Sequence, residues 1–290
     1  MFLKCFDARR QVLRLVVCAL SVGATVTGFA QPADAGMERF AWLAYEQTLI
    51  RTGHLRTERA PDDAPFSNAD VLRNFREVIF YDEYVRTPEG YVDRRTPRRL
   101  EKRSGRVTYT LWGGGVTSVD HEHMTEMVDR VARATGLEIV EVAKGAQIEV
   151  LILNAEGRHK LAGKLEQAGA KAMAYDLRND LDGLVCAAYF FPPVERDAGI
   201  DYTIIIPDEL SPLLRRSCIE EEFGQAFGPS ADFAGARPSV FNDDEEFALF
   251  TEHDALLFKV LYDARLQAGM SEREAMPIVE RILTELRPEG

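Results

Sequence analysis

The chain has 290 residues, 46% of them hydrophobic and 28% charged, with a formal net charge of −12. This composition excludes a wholly disordered chain and accommodates one large domain, or one domain with an extension. The negative charge argues against general adhesion to DNA or anionic lipid, and the sequence carries no nucleic-acid motif.

Residues 1–30 read as a signal peptide. Lys4, Arg9, Arg10 and Arg14 precede the apolar run Leu15 to Val22, and small residues continue to Ala30. Gly28-Phe29-Ala30 fits a cleavage site after Ala30, with Ala33-Asp34-Ala35 as a second choice after Ala35. The run is short and interrupted for a membrane span. A lipoprotein at Cys18 is disfavoured by Val17, which stands where a small residue is wanted, and an uncleaved leader is the one membrane attachment left open. The leader carries +3, so the remainder is near −15. The expected location is the periplasm or the exterior. Cys5 and Cys18 leave with the leader, and the two cysteines remaining in an oxidising compartment predict a Cys186–Cys218 disulfide, with two buried thiols as the alternative.

Residues 31–66 are polar and mixed in Pro, Asp and Arg after an apolar patch at Phe40 to Tyr45, and read as a loosely attached extension to a domain over 67–288. Asn68 is placed to cap a helix through Phe75 and Val78, and a polar loop is expected from Thr87 to Gly105. Val107 to Trp112 alternates as a strand and ends at Gly113-Gly114-Gly115. That glycine run lacks a following Lys-Ser/Thr and reads as a turn, not a phosphate loop. Met124, Met127, Val128 and Val131 have helical spacing over about 120–134, stopped by Gly136. Strands follow at 137–140 and 148–153, a helix at about 156–168, and strands at 185–191 and 202–206. Ser211-Pro212 starts a helix over 212–227, ended by Gly228-Pro229. Thr251 caps a further helix to about Arg265, and Ser271 with Glu274 forms a capping box for the last. The class is α+β, with one mixed, twisted sheet and C-terminal helices.

On the 212–227 helix, at about 100° per residue, Ile219, Phe223, Ala226 and Phe227 form one face. Leu214, Cys218, Glu221 and Gln225 cluster on another. Periodicity alone allows a solvated face as readily as a site. The segment Glu221-Glu222-Phe223-Gly224-Gln225-Ala226-Phe227-Gly228 has the layout His-Glu-x-x-His-Ala-x-Gly with both histidines replaced. Here the chain resembles the metzincin branch of the zincin metalloproteases. Ser239-Val240-Phe241-Asn242 resembles their methionine turn, with Phe241 in the methionine place, and Phe250 to Asp263 is similar to their closing helix. The C-terminal third also resembles a proteobacterial family of secreted proteins and lipoproteins, a domain of unknown function. Its pattern includes Glu-Glu-x-x-Gln, a Ser-x-Phe-Asn-Asp turn, here Ser239 to Asp243, and Gly-Met before the last helix, here Gly269-Met270. The likeness runs over about 68–285 and is strongest over 216–280.

The resemblance implies a lost zinc site. Glu222 keeps the general-base position, but Glu221 and Gln225 stand where two imidazoles hold the metal, and Ala231 stands at the third ligand position beside Asp232. Zinc is therefore not expected. The oxygen donors Glu221, Glu222, Gln225 and Asp232 suit calcium or magnesium better, and a Glu221–Gln225 pair that merely docks the helix near Asp232 and Asn242 is the bland alternative. The vestigial site is thus Glu221, Glu222, Gln225, Asp232, Phe241 and Asn242.

Elsewhere, His121 and His123 are two apart and diverge on a helix, while His54, His159 and His253 are isolated. Arg86, Arg94, Arg95, Arg98, Arg99, Lys102, Arg103 and Arg106 crowd one stretch, as a solvated face or an anion-binding patch. The expected function is a non-catalytic binding or scaffolding protein of the cell envelope with a peptide or envelope-protein partner. The alternatives are a hydrolase with an atypical metal or none, using Glu222 as base, and a purely structural assembly module.

Overall fold

The computed structural model describes residues 35–87, 90–190 and 202–288. The expected leader, with the cleavage site expected after Ala30, lies outside the described residues. The second candidate cleavage residue, Ala35, opens the first helix, α1 (Ala35–Arg51). Then follow α2 (Asn68–Ile79), β1 (Tyr81–Thr87), β2 (Gly90–Pro97), β3 (Arg106–Trp112), α3 (Ser118–Thr135), β4 (Glu138–Glu141) and β5 (Ile148–Leu153). The second half holds α4 (Ala155–Gln167), α5 (Lys171–Arg178), β6 (Ala187–Phe190), β7 (Tyr202–Pro207), α6 (Pro212–Gln225), α7 (Glu252–Leu261) and α8 (Glu272–Leu286). The α+β class holds: among the described residues, eight helices surround one five-stranded sheet and one two-stranded sheet.

The sheet runs in the order β4-β3-β5-β7-β6. Its first four strands are parallel, and β6 pairs antiparallel with β7 at the edge. Central strands β5 and β7 are nearly continuous runs of buried Ile, Val and Leu, as a sheet covered on both faces requires. One face carries the main core, with Met124, Met127, Ile219, Phe223, Phe241 and Phe258. The other buries Leu151, Leu153, Ile205 and Tyr189 under α4 and α5.

Helix starts follow local chemistry. Thr117 and Thr251 each accept from the backbone amide three residues on, where Asp120 and Asp254 answer with their carboxylates. At α2 the cap is Ser67 with Asp70, one residue before the expected Asn68. Ser211 occupies the N-cap position of α6 but makes no side-chain cap. Glu46 of α1 does that work instead, accepting from Leu213 N at 2.8 Å and Leu214 N at 3.1 Å. A carboxylate on the first amides of a helix satisfies donors that lack partners and meets the positive end of its dipole.

Glu46 is one reason why residues 35–66 are not loosely attached. Trp42 and Leu55 are buried, Leu55 and Arg56 donate their amides to Glu245 and Glu246 carbonyls, and Arg39 pairs with Asp208 at 2.9 Å. Arg59 reaches Glu220, which is fully buried. The polar composition hid this attachment because it works through ions and backbone amides, with little apolar patterning.

The expected loop after Thr87 is instead the second strand of a hairpin. β1 and β2 pair antiparallel from Tyr81↔Pro97 to Thr87↔Gly90. Four cations of the basic run are engaged within the fold. Arg98 pairs with Asp82 and Glu101, Arg99 donates to Gly269 O, Lys102 donates to Leu261 O and Asp263 O, and Arg103 donates to Ala226 O. Cations on the last carbonyls of α6 and α7 complement the negative ends of those helices.

Candidate functional site

Helix α6 carries the motif, and its two ends are fixed from opposite directions. Glu46 holds the start. At the other end Gly228 has φ +145°, and a Cβ there would lie 2.6 Å from Leu261 Cδ2 and 2.9 Å from Glu101 O, so only glycine fits. Tyr262 Oη donates to Phe227 O at 2.9 Å just before it. Among the described residues α6 ends at Gln225, two residues short of the expected Phe227.

Beneath the helix lies the Ser239–Asn242 turn. Phe241 is fully buried, stacked parallel to Phe258, and its ring edge sits where a Cβ on Gly224 would meet Phe241 Cζ at 2.9 Å. Phe241 thus forms the floor under the helix and does not line the cleft. Asp254 of α7 locks the turn, accepting from Ser239 Oγ and from Val240 N at 3.0 Å. Asn242 is 5% exposed and donates to Ala236 O at 2.8 Å while accepting from Asp244 N at 2.8 Å. Its hydrogen bonds serve the turn although it borders the cleft.

The Cys186–Cys218 disulfide is formed. Cys218 precedes Glu222 by one helical turn, and Cys186 precedes Ala188 by two residues. The Glu222 carboxyl accepts from the Ala188 backbone, so the disulfide and this hydrogen bond are two rungs between α6 and the edge strand β6. Reduction is expected to cost about 4 kcal/mol, the loop-closure entropy for a sequence separation of 32. The check is the thermal midpoint with and without dithiothreitol; alkylation of the oxidised protein should leave its mass unchanged.

Above α6 is a cavity of about 480 Å3, walled by α6, β6, the hairpin and the loops after α6. Glu221, Glu222, Gln225 and Asp232 all face it, while Ala231 is buried away from it with 3% exposure. Gln225 Nε2 donates to Asp232 Oδ1 at 3.4 Å, and Glu221 and Asp232 share a side-chain hydrogen bond. The sequence reading missed Glu83 and Tyr84, which β1 brings to the same cavity. The signal was the turn-favouring sequence Pro88-Glu89-Gly90 between two Tyr- and Val-containing runs.

These carboxyls suppress one another's ionisation. Burial, then the neighbouring Glu83, pushes Glu222 up to about 8, against the hydrogen bond from Ala188. Burial pushes Glu83 up to about 7; a Tyr84 hydrogen bond opposes this and Asp243 and Asp93 reinforce it. Glu221 is held well above the usual carboxylate range by burial, then by Asp232 and Glu222. Asp232 is raised likewise by burial, then by Glu83 and Glu222. Protonated carboxyls both donate and accept, which suits recognition of polar uncharged groups.

The donor set does not fit zinc: Gln225 is a neutral amide that donates a hydrogen bond to Asp232, and Ala231 offers a methyl group. Among the described residues no three His, Cys, Asp or Glu side chains converge as ligands for any metal ion. The histidines are elsewhere. His253 is fully buried, 3.1 Å from Asn74 Nδ2 and edge-on to Phe66, a core residue. His123 lies beside Arg216, and burial, then that charge, lowers its pKa.

No curated protein matches the chain. A family model described as a protein of unknown function (DUF2927) matches residues 68–281, from α2 through the hairpin, the sheet, the motif helix and its turn into α8. The chain belongs to this DUF2927 family.

Proposed function

We propose that the protein is an exported, non-catalytic binding module of metzincin-like architecture, its cleft retained as a surface for a peptide or envelope-protein partner. The observation that carries this reading is the pairing at the two former ligand positions. Glu221 and Gln225 both face the cleft, and both are tied to Asp232 rather than directed at a common centre. Support for the architecture comes from the order of parts: an antiparallel edge strand beside the cleft, the motif helix ended by Gly228, Phe241 beneath Gly224, and α7 holding the turn through Asp254. The disulfide is compatible with export to an oxidising compartment.

A second reading, a hydrolase that works without zinc, is favoured by one observation. Burial, then the neighbouring Glu83, pushes the Glu222 carboxyl up to about 8, towards the range in which a general acid or base is effective.

Elemental analysis of the mature protein, with Glu221→Ala as control, tests the first reading. No stoichiometric metal is the expected result. A stoichiometric metal that disappears on the substitution would overturn it. Peptide hydrolysis abolished by Glu222→Gln in metal-free protein would establish the second.

A further inference from the structure

The hairpin is joined to the rest of the molecule in two different ways. Its base is held by cations. Arg98 pairs with Asp82 and Glu101, and Arg95 stacks over the Tyr81 ring with its carbon 3.6 Å from the centroid while pairing with Glu77. At Asp82 and Glu83, β1 also forms hydrogen bonds to the loop after α6. Ser230 Oγ donates to Asp82 at 2.7 Å, Glu83 N donates to Ser230 O at 3.4 Å, and the Asp232 backbone donates to the Glu83 carboxyl. Across the cleft, β2 touches α5. A two-stranded hairpin has little stability of its own, so these contacts decide whether it lies down over the cavity.

The groups facing Glu83 are almost all acidic. Tyr84 lies beside it on β1 and Asp93 on β2. α6 presents Glu221 and Glu222; the loops present Asp232, Asp243 and Glu245; α5 presents Asp176. The cation at this rim, Arg98, is already paired with Asp82 and Glu101.

We propose that the β1–β2 hairpin is a pH-responsive flap, latched over the cleft through Glu83 while the facing carboxyls are protonated and released when they ionise. When Glu83, Glu222 and the Glu221–Asp232 pair lose their protons, like charges meet across the hairpin–helix seam, and that repulsion outweighs the hydrogen bond from the Asp232 backbone to the Glu83 carboxyl. Closure takes up protons, so rising pH opens the flap, and the window is neutral to mildly alkaline. An exported protein experiences the pH of its surroundings, which gives such a flap a signal to read. The biological use of the flap rests on the binding role proposed above for the cleft, but its motion does not.

Hydrogen exchange on the unliganded mature protein tests the proposal, with rates corrected for intrinsic chemistry. From about pH 6 to about pH 9, protection of the described amides of β1 and β2 should fall about tenfold or more beyond any fall in α7, which follows the stability of the whole fold. Glu83→Gln should keep the hairpin protected at the higher pH. A hairpin whose protection tracks α7 would overturn the proposal. So would an equal fall in Glu83→Gln. Should that variant fail to fold, Asp232→Asn carries the same test. Because no ligand is added, a failure here leaves the binding reading standing, and the metal analysis leaves the flap untouched.

Discussion

Glu220→Ala is expected to destabilise the protein by about 3–5 kcal/mol, the cost of removing one partner from a buried ion pair. The Glu220 side chain is fully buried. Its carboxylate accepts from Arg59 Nη1 at 2.7 Å and Nη2 at 2.9 Å, from Arg216 Nε at 3.1 Å, and from Phe250 N at 2.7 Å. Truncation leaves the Phe250 amide without its acceptor and the Arg59 guanidinium, 16% exposed, with only Glu126 among its carboxylates. Urea unfolding reads the loss. Removing both partners as Arg59→Met with Glu220→Leu should recover part of it, because two apolar residues leave no orphaned charge. A loss below about 1 kcal/mol for Glu220→Ala would mean that water replaces the carboxylate and that the network is peripheral.

This network shows where the sequence was readable and where it was not. Strands β3, β5 and β7, helix α3 and the caps at Thr251 and Ser271 announced themselves, because apolar period and capping chemistry act within a few residues. Glu221 and Gln225 were placed on one face by their spacing, and both line the cleft. Glu220 sits one residue away with the same side-chain chemistry, yet it is a structural anchor. Nothing local distinguishes the two: the difference is Arg59, 161 residues earlier. Glu46 and Glu83 were missed for the same reason, since their roles depend on what they meet across the chain. Arg59 and Glu46 both precede the family match, which begins at residue 68. The segment that seemed an appendage therefore anchors the helix on which the candidate site is built.

Between about pH 5 and pH 8 the protein should lose stability as pH rises, on the order of 5 kcal/mol in total, against the usual trend for an acidic protein. Glu83 and Glu222 move from an ordinary 4.5 to about 7 and about 8 on folding. A carboxyl whose folded value is raised binds more protons in the native state, so its contribution is whole below the unfolded value. It disappears as pH climbs through the folded one. The opposite group is on the surface: Asp263, Glu126 and Glu246 are lowered through arginine partners, and their stabilisation is lost only as pH falls below about 4. Because those pairs are partly solvated, they contribute modestly. Stability should therefore peak near about pH 5. Glu222→Gln isolates the cleft's share, since its amide oxygen can still accept from Ala188 N but cannot ionise. The variant should gain on the order of 3 kcal/mol at about pH 8 and almost nothing at about pH 5. Equal effects at both pH values would show that packing, not charge, separates the two side chains. A loss at the higher pH would mean that the ionised carboxylate has a compensating partner, and the mutual suppression of the cleft carboxyls would have to be abandoned.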